Sequence, residues 1–295
     1  MRIYLSILIS TFLLSCKGQN NPSLKVNKDD NTLLWQVTGN GLKSPSYLYG
    51  TFHLMCKNDI LISEQLKLAL KQSNTIYLEL DMDDPATLMG GLLLMNMTDG
   101  KKLKDLYTEE EYVRVENFFQ DSLRTPISFM QSMKPLFLMS LLYPKMMPCK
   151  NISGVEEAIM KLAKENKKEV KGLETMAFQA SVFDSIPYKE QAKELLNSID
   201  SMEYNKNELY AMMNAYKNQR LDELEKSLKK SELTSGDNES ILITKRNRNW
   251  VQQLNAIMKK ESVFVAVGAG HLPGGEGVIN LLIKEGYTVK PLYNK

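Results

Sequence analysis

The sequence predicts an α/β fold with a central sheet, a β-α-β unit at each end of the chain and a helical insertion in the middle. Runs of strand length alternate with segments of helical periodicity at both ends. Residues 75–81 are apolar at nearly every position, which is typical of a strand covered on both faces. With 43% apolar residues among 295, the chain can bury the core of one large domain or two smaller ones.

The first β-α-β unit is predicted near the N-terminal end of the fold. Two strands, 33–37 and 46–51, are separated by a hairpin-like connection that contains glycine and proline. Ser63 is a suitable N-cap for a helix that ends near Lys71. The run 75–81 follows as the next strand.

Helices are predicted for most of the middle of the chain. Capping boxes at 108–111 and 153–156 each open one helix, and two or three amphipathic helices are expected in 187–233. A short strand, 169–175, interrupts this helical region and carries Glu174 near its end.

The last sixty or so residues repeat the order of strand, turn, helix and strand. A helix over 239–260 leads to the strand 263–267, and a glycine-rich turn follows. The next helix is expected to end at Lys284, with Gly286 as its C-cap. The strand 287–290 closes the fold.

Both histidines of the chain end the same four-residue pattern, Gly-x-x-His, directly after a predicted strand. Because ligands of open α/β sheets bind at the carboxyl ends of strands, we expect His53 and His271 to converge on one site. Neutral imidazole is a common ligand of Zn, Mn, Fe and Co, so the pair indicates a site for a divalent transition metal. The alternative is two hydrogen-bonded histidines that brace their loops.

Carboxylates at the ends of two strands are candidates for the same site. Glu79 lies in an apolar run, where an unpaired charge would be very costly, so it needs a cation or a metal beside it. Asp81 shares its strand face and is a possible supporting residue. Glu174 lies near the end of a shorter predicted strand, and the same argument makes it a possible supporting residue. An ordinary ion pair is the alternative for these residues.

Periodicity separates two neighbouring arginines. Arg246 recurs with Leu242 and Trp250 on the apolar face of its predicted helix, whereas Arg248 falls on the solvated face. A buried guanidinium needs a carboxylate, a substrate anion or a developing oxyanion as its partner. Asn249 is expected near the face of Arg246.

Composition argues against several function classes. The 37 Lys and Arg residues nearly balance the 35 Asp and Glu residues, which gives no footprint for nucleic acid or for a polybasic membrane patch. The sequence has no Gly-x-Ser-x-Gly elbow and no Cys-x-x-Cys pair. The turn at His271 also lacks the third glycine of a dinucleotide-binding loop.

The N-terminal residues predict export and lipid anchoring. Residues 1–15 have the pattern of a signal peptide, and residues 13–16 resemble a bacterial lipobox that ends at Cys16. Residues 16–31 are predicted as a flexible tether, so the lipid would be the only membrane contact. Lys17 stands where an aspartate would indicate inner-membrane retention, which favours the outer membrane. The alternative is an ordinary signal peptide with an incidental cysteine.

Two further cysteines, Cys56 and Cys149, have two interpretations. In an oxidising compartment they can pair across a long loop, and otherwise either can be a buried thiol. Cys56 also lies three residues after His53, so a metal-ligand role for its thiolate is a further alternative.

Five segments together resemble the TraB/PrgY/GumN family, which includes the animal Tiki proteins. The segments are 46–53, 79–81, 172–175, 245–247 and 267–274. The resemblance implies a single domain over 32–295, with a fold akin to erythromycin-esterase-like and ChaN-like proteins. By similarity to Tiki members it also implies a metal-dependent peptidase. His53, Glu79, Arg246 and His271 then occupy the active-site positions, and Asn247 belongs to the Arg-Asn motif.

The leading hypothesis is a metal-assisted hydrolase, a peptidase that acts on a peptide or protein of the cell envelope. His53 and His271 would bind the metal, Mn, Co, Zn or Fe, with Glu79 as third ligand or as general base. Arg246 would stabilise the oxyanion. One alternative is a lipoprotein that binds a metal, haem or a peptide without turnover. Another is an iron oxygenase with two histidines and one carboxylate.

Overall fold

A six-stranded mixed sheet forms the centre of the protein. The structure is a computed structural model, which describes residues 30–84, 91, 94–230 and 237–293. The strand order in the sheet is β6-β4-β7-β2-β1-β8, and β3 pairs with β5 in a separate two-stranded ribbon. The strands are β1 (Leu34–Gly39), β2 (Ser46–Thr51), β3 (Met55–Cys56), β4 (Thr75–Leu80), β5 (Ile152–Ser153), β6 (Glu169–Glu174), β7 (Val263–Gly268) and β8 (Tyr287–Leu292).

Helices follow most of the strands and cover the sheet. All six positions of β2 and the first five of β7 are buried, so both faces of the central strands are packed. The helices are α1 (Glu64–Gln72), α2 (Glu109–Asn117), α3 (Pro135–Ser140), α4 (Tyr143–Met146), α5 (Val155–Glu165), α6 (Met176–Asp184), α7 (Tyr188–Asp200), α8 (Met202–Lys217), α9 (Leu221–Lys230), α10 (Lys245–Ile257) and α11 (Val278–Lys284).

Four neighbouring strands of the sheet run parallel to one another. β4 pairs in parallel with both β6 and β7, and β7 pairs in parallel with β2. β1 is antiparallel to β2 and to β8. The carboxyl ends of β6, β4, β7 and β2 therefore meet at one edge of the sheet, where ligand sites of α/β proteins form.

The two Gly-x-x-His turns lie side by side at this edge. In the parallel register of β2 and β7, Gly50 is opposite Val267 and Thr51 is opposite Gly268. A Cβ atom at Gly50 would lie 3.0 Å from the Cα of Ala269, closer than ordinary contacts allow. The glycine of the first turn thus lets the second turn pack against it.

The α/β class is confirmed, and each of the six strands predicted from the sequence corresponds to a strand of the central sheet. Ser63 caps α1 through the N–H of Leu66, and Thr108 forms the capping box that opens α2. Gly286 follows α11 with a φ of +90°, as expected of a C-cap glycine. The helical part is larger than one insertion, since the described residues form helices both between β4 and β5 and between β6 and β7.

The predicted capping box at 153–156 is wrong. Ser153 pairs with Met55 in the β3-β5 ribbon, so α5 starts later and its N-cap is Gly154, which has no capping side chain. The Ser153 hydroxyl donates to Glu157 at 2.7 Å. Glu156 is thereby free to face the first Gly-x-x-His turn.

The predicted signal peptide 1–15, Cys16 and most of the predicted tether 16–31 lie outside the described residues. Within the described part of the chain, no helix is both long and apolar enough to cross a membrane.

Candidate functional site

The polar cluster at the carboxyl edge of the sheet is built from five elements. His53 follows β2, and His271 lies in a short 3-10 turn, Ala269–His271, after β7. Glu79 is the penultimate residue of β4 and Glu174 is the last residue of β6. Arg246 projects inward from the first turn of α10, as its periodicity predicts.

Arg246 joins the two carboxylates in a buried charge cluster. Its Nε donates to Glu174 Oε1 at 2.9 Å, and its Nη2 donates to Glu174 Oε2 at 2.8 Å and to Glu79 Oε2 at 2.6 Å. The side chains are 9% exposed for Arg246, 12% for Glu79 and 0% for Glu174. Burial this deep makes the cluster sensitive to the loss of any one charge.

The remaining donors of Arg246 also have partners. Nη1 donates to the carbonyl of Leu242 at 3.2 Å and lies 3.3 Å from Nε2 of His271. The five N–H groups of the guanidinium are therefore all directed at acceptors. Arg246 has no donor left for a further anion in this arrangement, which bears on the oxyanion role predicted for it.

Neutral donors complete the environment of the carboxylates. Trp250 Nε1 donates to Glu174 Oε1 at 2.9 Å, and Gln179 Nε2 donates to Glu79 Oε2 at 3.2 Å. The backbone N–H of Gly268 donates to Glu79 Oε1 at 2.8 Å. Burial raises the pKa of Glu79, but the positive charges of His271 in its protonated form, Arg246 and His53, together with this N–H, lower that pKa to about 2. Glu79 is accordingly an ionised carboxylate at neutral pH.

His271 is held in one tautomer by Asn247. Asn247 Nδ2 donates to the carbonyls of His271 and Glu276, at 3.2 and 2.8 Å, so its Oδ1 is the acceptor for the Nδ1–H of His271 at 2.7 Å. The lone pair of His271 is then on Nε2, which lies 4.0 Å from Glu79 Oε1. Burial lowers the pKa of His271 to about 3, so the ring is neutral at physiological pH.

His53 lies in a different environment from His271. Its side chain is 70% exposed, and its Nδ1 is 2.8 Å from Oε1 of Glu156, whose side chain is 15% exposed. The Glu156 carboxylate raises the pKa of His53 to about 9. His53 is close enough to Glu79 and Arg246 for their charges to interact with it. The two histidines thus flank one region of the sheet edge.

Three residues of this site were not assigned from the sequence. Glu156 was placed in a capping box, Trp250 only on an apolar face, and Gln179 was not singled out. Each contacts residues far away in the chain, and no local pattern signals such contacts. Asn247 was singled out only through the family motif. In the structure Asn247 is buried, and its side chain holds the ring of His271.

Two predicted supporting residues lie outside the cluster. β4 ends at Leu80, so Asp81 follows the strand, where burial and the neighbouring Asp83 raise its pKa. The prediction for Asn249 is wrong, because this residue is exposed. At 100° per residue, Asn249 is rotated about 110° from the middle of the buried stripe, which lies between Arg246 and Asn247.

Cys56 and Cys149 form a disulfide with an S–S distance of 2.09 Å. The bond links β3 to the segment that leads into β5, next to the ladder pair of Cys56 and Ile152. Cys56 is therefore not a thiolate ligand, and the His53 turn is tied covalently to the segment that precedes Glu156.

Two donor atoms of the cluster suit a divalent transition metal, but a third is not in place. Among the residues that the structure describes, no three His, Cys, Asp or Glu side chains are grouped closely enough to hold an ion. His271 Nε2 and Glu79 Oε1 are a neutral imidazole nitrogen and a carboxylate oxygen, as divalent transition metals prefer. His53 would have to supply the third donor, and for that its ring must lose the proton that its raised pKa retains at neutral pH. Each histidine has its Nδ1 next to a fixed oxygen, an arrangement common among metal ligands.

Replacing Asn247 with alanine is expected to lower the free energy of unfolding by about 1–3 kcal/mol, because buried hydrogen-bonding groups lose their partners. The Nδ1–H of His271 and the carbonyls of His271 and Glu276 would all be affected. Urea denaturation monitored by circular dichroism measures the change.

Asn249→Ala is the matched control, since Asn249 is exposed and lies in the same helix two residues further on. Its midpoint in urea should equal that of the unmodified protein. Equal losses for the two alanine variants would contradict the role assigned to Asn247.

Comparisons with known proteins cover the part of the chain that contains the site. A profile of the TraB/PrgY/gumN family matches residues 33–291, a range that contains both histidines and Arg246. Zebrafish (Danio rerio) Metalloprotease TIKI1 is 23% identical over 315 residues, covering 89% of this chain and 63% of that protein. Zebrafish Metalloprotease TIKI2 is 23% identical over 317 residues, covering 89% and 61%.

Human (Homo sapiens) Metalloprotease TIKI1 is 28% identical over a shorter stretch of 123 residues, which covers 41% of this chain and 22% of that protein. The chain spans about three fifths of the length of the two zebrafish relatives. No solved structure gives a significant match.

Proposed function

The chain belongs to the TraB/PrgY/gumN family, and on that premise we propose that it is a metal-dependent hydrolase that cleaves a peptide or protein. The observation that carries the proposal is the pairing of His271 Nε2 with Glu79 Oε1 across 4.0 Å at the carboxyl edge of the sheet. The names of the zebrafish relatives as metalloproteases support the choice of a peptide substrate.

Each residue of the cluster would have its own role in such a site. His271 and Glu79 would hold a divalent metal, Mn, Co, Zn or Fe, with His53 as the third ligand. When bound, the metal would act as a Lewis acid and lower the pKa of a water molecule toward ~7. Asn247 keeps the His271 lone pair on Nε2. Gln179 and the Gly268 N–H orient the Glu79 carboxylate, which serves as a ligand or as a base.

We assign Arg246 a role that differs from the oxyanion donor expected from the sequence. With all five of its N–H groups directed at acceptors, Arg246 fixes Glu79 and Glu174 and favours the ionised form of Glu79. An ionised Glu79 can accept a proton or bind a cation, whereas a protonated one can do neither.

One observation favours a second candidate, a protein that binds a metal, haem or a peptide in this region without turnover. The Nη1 of Arg246 faces the His271 lone pair that a metal would use, and the described residues form no group of three metal ligands. The distinction between the two candidates is catalytic turnover.

Elemental analysis and peptide cleavage test the proposal together. The protein is purified without chelator and without a metal-affinity step, and both assays are repeated on His271→Ala, with Arg248→Gln as a folded surface control. We expect about one transition metal per chain and peptide cleavage, both lost in His271→Ala. The metal site would be falsified if the unmodified protein contained no metal and cleaved peptides no better than His271→Ala. Bound metal without cleavage of any peptide would favour the second candidate.

For the location of the protein, we propose export and anchoring through a lipid on Cys16, with residues 16–31 as a tether and the outer membrane as the destination. The lipobox-like sequence motivates this proposal. The Cys56–Cys149 disulfide supports it, since structural disulfides persist in oxidising compartments. Cys16→Ser should release the chain from the membrane fraction, and retention of the variant there would argue against the anchor.

We further propose that the sheet and its helices are akin to those of erythromycin-esterase-like and ChaN-like proteins. The resemblance of the chain to its family motivates this proposal. An experimental structure compared with members of those groups tests it, and a different strand order at the site edge would contradict it.

A further inference from the structure

The turn that carries His53 is held by the N-terminal end of α5. The N–H of Val155 donates to the carbonyl of Phe52 at 3.1 Å. A Cβ atom at Gly154 would lie 2.9 Å from the carbonyl oxygen of His53, so only glycine permits this approach. The backbone of the His53 turn is therefore fixed by residues about one hundred positions further along the chain.

The ring of His53, in contrast, gains little from packing, because the side chain is 70% exposed. An exposed side chain ordinarily samples several rotamers. The polar partner of the ring is Glu156, whose Oε1 is 2.8 Å from Nδ1 and whose own side chain is largely buried. Glu156 is thus the fixed member of the pair, and His53 is the member that needs to be held.

The positions of both partners are set by the β3-β5 ribbon. β3 begins two residues after His53, and Glu156 follows β5 at a distance of three residues. The ladder pairs Met55 with Ser153, and the disulfide of Cys56 lies next to it. Two hydrogen-bonded strands and one covalent bond therefore hold the Glu156 carboxylate opposite the His53 ring.

We propose that Glu156 is a positioning residue, which holds the exposed His53 ring at Nδ1 and leaves Nε2 as the nitrogen that binds a ligand. As a statement about metal binding this rests on the proposed function. His271 offers a parallel, since Asn247 occupies its Nδ1 and leaves its Nε2 lone pair. Oxygen atoms that fix one ring nitrogen orient the other and strengthen metal binding.

The first experiment uses the metal-free, disulfide-bonded chain. Because the protein contains only two histidines, the order parameters of their ring Cε1–H groups can be measured by nuclear magnetic resonance without ambiguity. We expect both rings to be ordered in the unmodified protein. In Glu156→Ala the value for His53 should fall below about 0.6, while that for His271 stays unchanged.

Glu157→Ala is the matched control, since Glu157 is the next residue of the same helix and its carboxylate contacts Ser153 instead. This variant should leave both rings ordered. Glu156→Gln removes the charge with little change of shape, and it replaces the alanine variant if that variant does not fold. It too should increase the mobility of the His53 ring. An equally ordered His53 ring in the folded Glu156 variants would overturn the proposal.

The second experiment titrates the same proteins with Co²⁺ alone, by calorimetry. We expect the dissociation constant to rise about 10–100-fold in Glu156→Ala and to stay unchanged in Glu157→Ala. Equal affinities for all three proteins would overturn the role of Glu156 in ligand binding. If the unmodified protein binds no Co²⁺ and elemental analysis finds no transition metal, while the His53 ring still depends on Glu156, the metal-dependent function fails and the positioning of His53 stands.

Discussion

Arg246→Gln is expected to lower the free energy of unfolding by about 3–5 kcal/mol, the usual cost of removing one partner from a buried ion pair. The substitution leaves Glu79 and Glu174, 12% and 0% exposed, without the cation that compensates their charges. Trp250 and Gln179 donate to these carboxylates but carry no charge. Urea denaturation measures the loss.

Arg248→Gln is the matched control for this prediction. Arg248 lies two residues further along α10, its side chain is 64% exposed, and it pairs with Glu276 at the surface. Exposed ion pairs contribute little, so no measurable change in the midpoint is expected. Equal losses for Arg246→Gln and Arg248→Gln would contradict the buried cluster.

A double variant tests the cause of the loss. Arg246→Gln combined with Glu174→Gln removes one positive and one negative charge from the cluster. If the cost of Arg246→Gln arises from uncompensated carboxylates, the double variant should be more stable than the sum of the two single losses predicts. Strict additivity would show that Arg246 and Glu174 do not act on each other.

Local patterns were sufficient to predict the six strands of the central sheet and the inward direction of Arg246, but not the short strands β3 and β5. Alternation of apolar residues, N-cap residues and C-cap glycines act over a few positions, so they are visible in a single sequence. The repeated Gly-x-x-His pattern was also informative. It reflects two adjacent parallel strands, β2 and β7, whose carboxyl ends must place their turns side by side.

The partners of the site residues could not be predicted in the same way. The contact of Arg246 with Glu79 spans 167 positions, and that of Arg246 with Glu174 spans 72. Which oxygen faces which nitrogen depends on the packing of α10 against the sheet edge. For that reason the sequence left open whether Arg246 faces a carboxylate or a substrate, and the structure shows two carboxylates.

The errors in the prediction also have a physical origin. Ser153 and Glu156 match a capping box by sequence, but strand pairing of Ser153 with Met55 overrides the local preference and moves the start of α5. Asn249 was placed near Arg246 on spacing alone, whereas the buried stripe of α10 is centred between Arg246 and Asn247. Tertiary contacts decide both cases.

Removing the disulfide with Cys56→Ser and Cys149→Ser should lower the free energy of unfolding by about 4–5 kcal/mol in the chain-entropy model, given a sequence separation of 93. The bond restricts the unfolded chain far more than the folded one, since β3 and β5 already pair in the folded protein. Thermal or urea unfolding of the double variant measures the loss.

Reduction provides the control for this variant. The unmodified protein in dithiothreitol should lose about as much stability as the double variant, and the double variant should show no further loss on reduction. A double variant as stable as the oxidised protein would contradict the estimate. The double variant also tests the coupling to the site: because the disulfide ties the His53 turn to the segment before Glu156, its loss should weaken Co²⁺ binding.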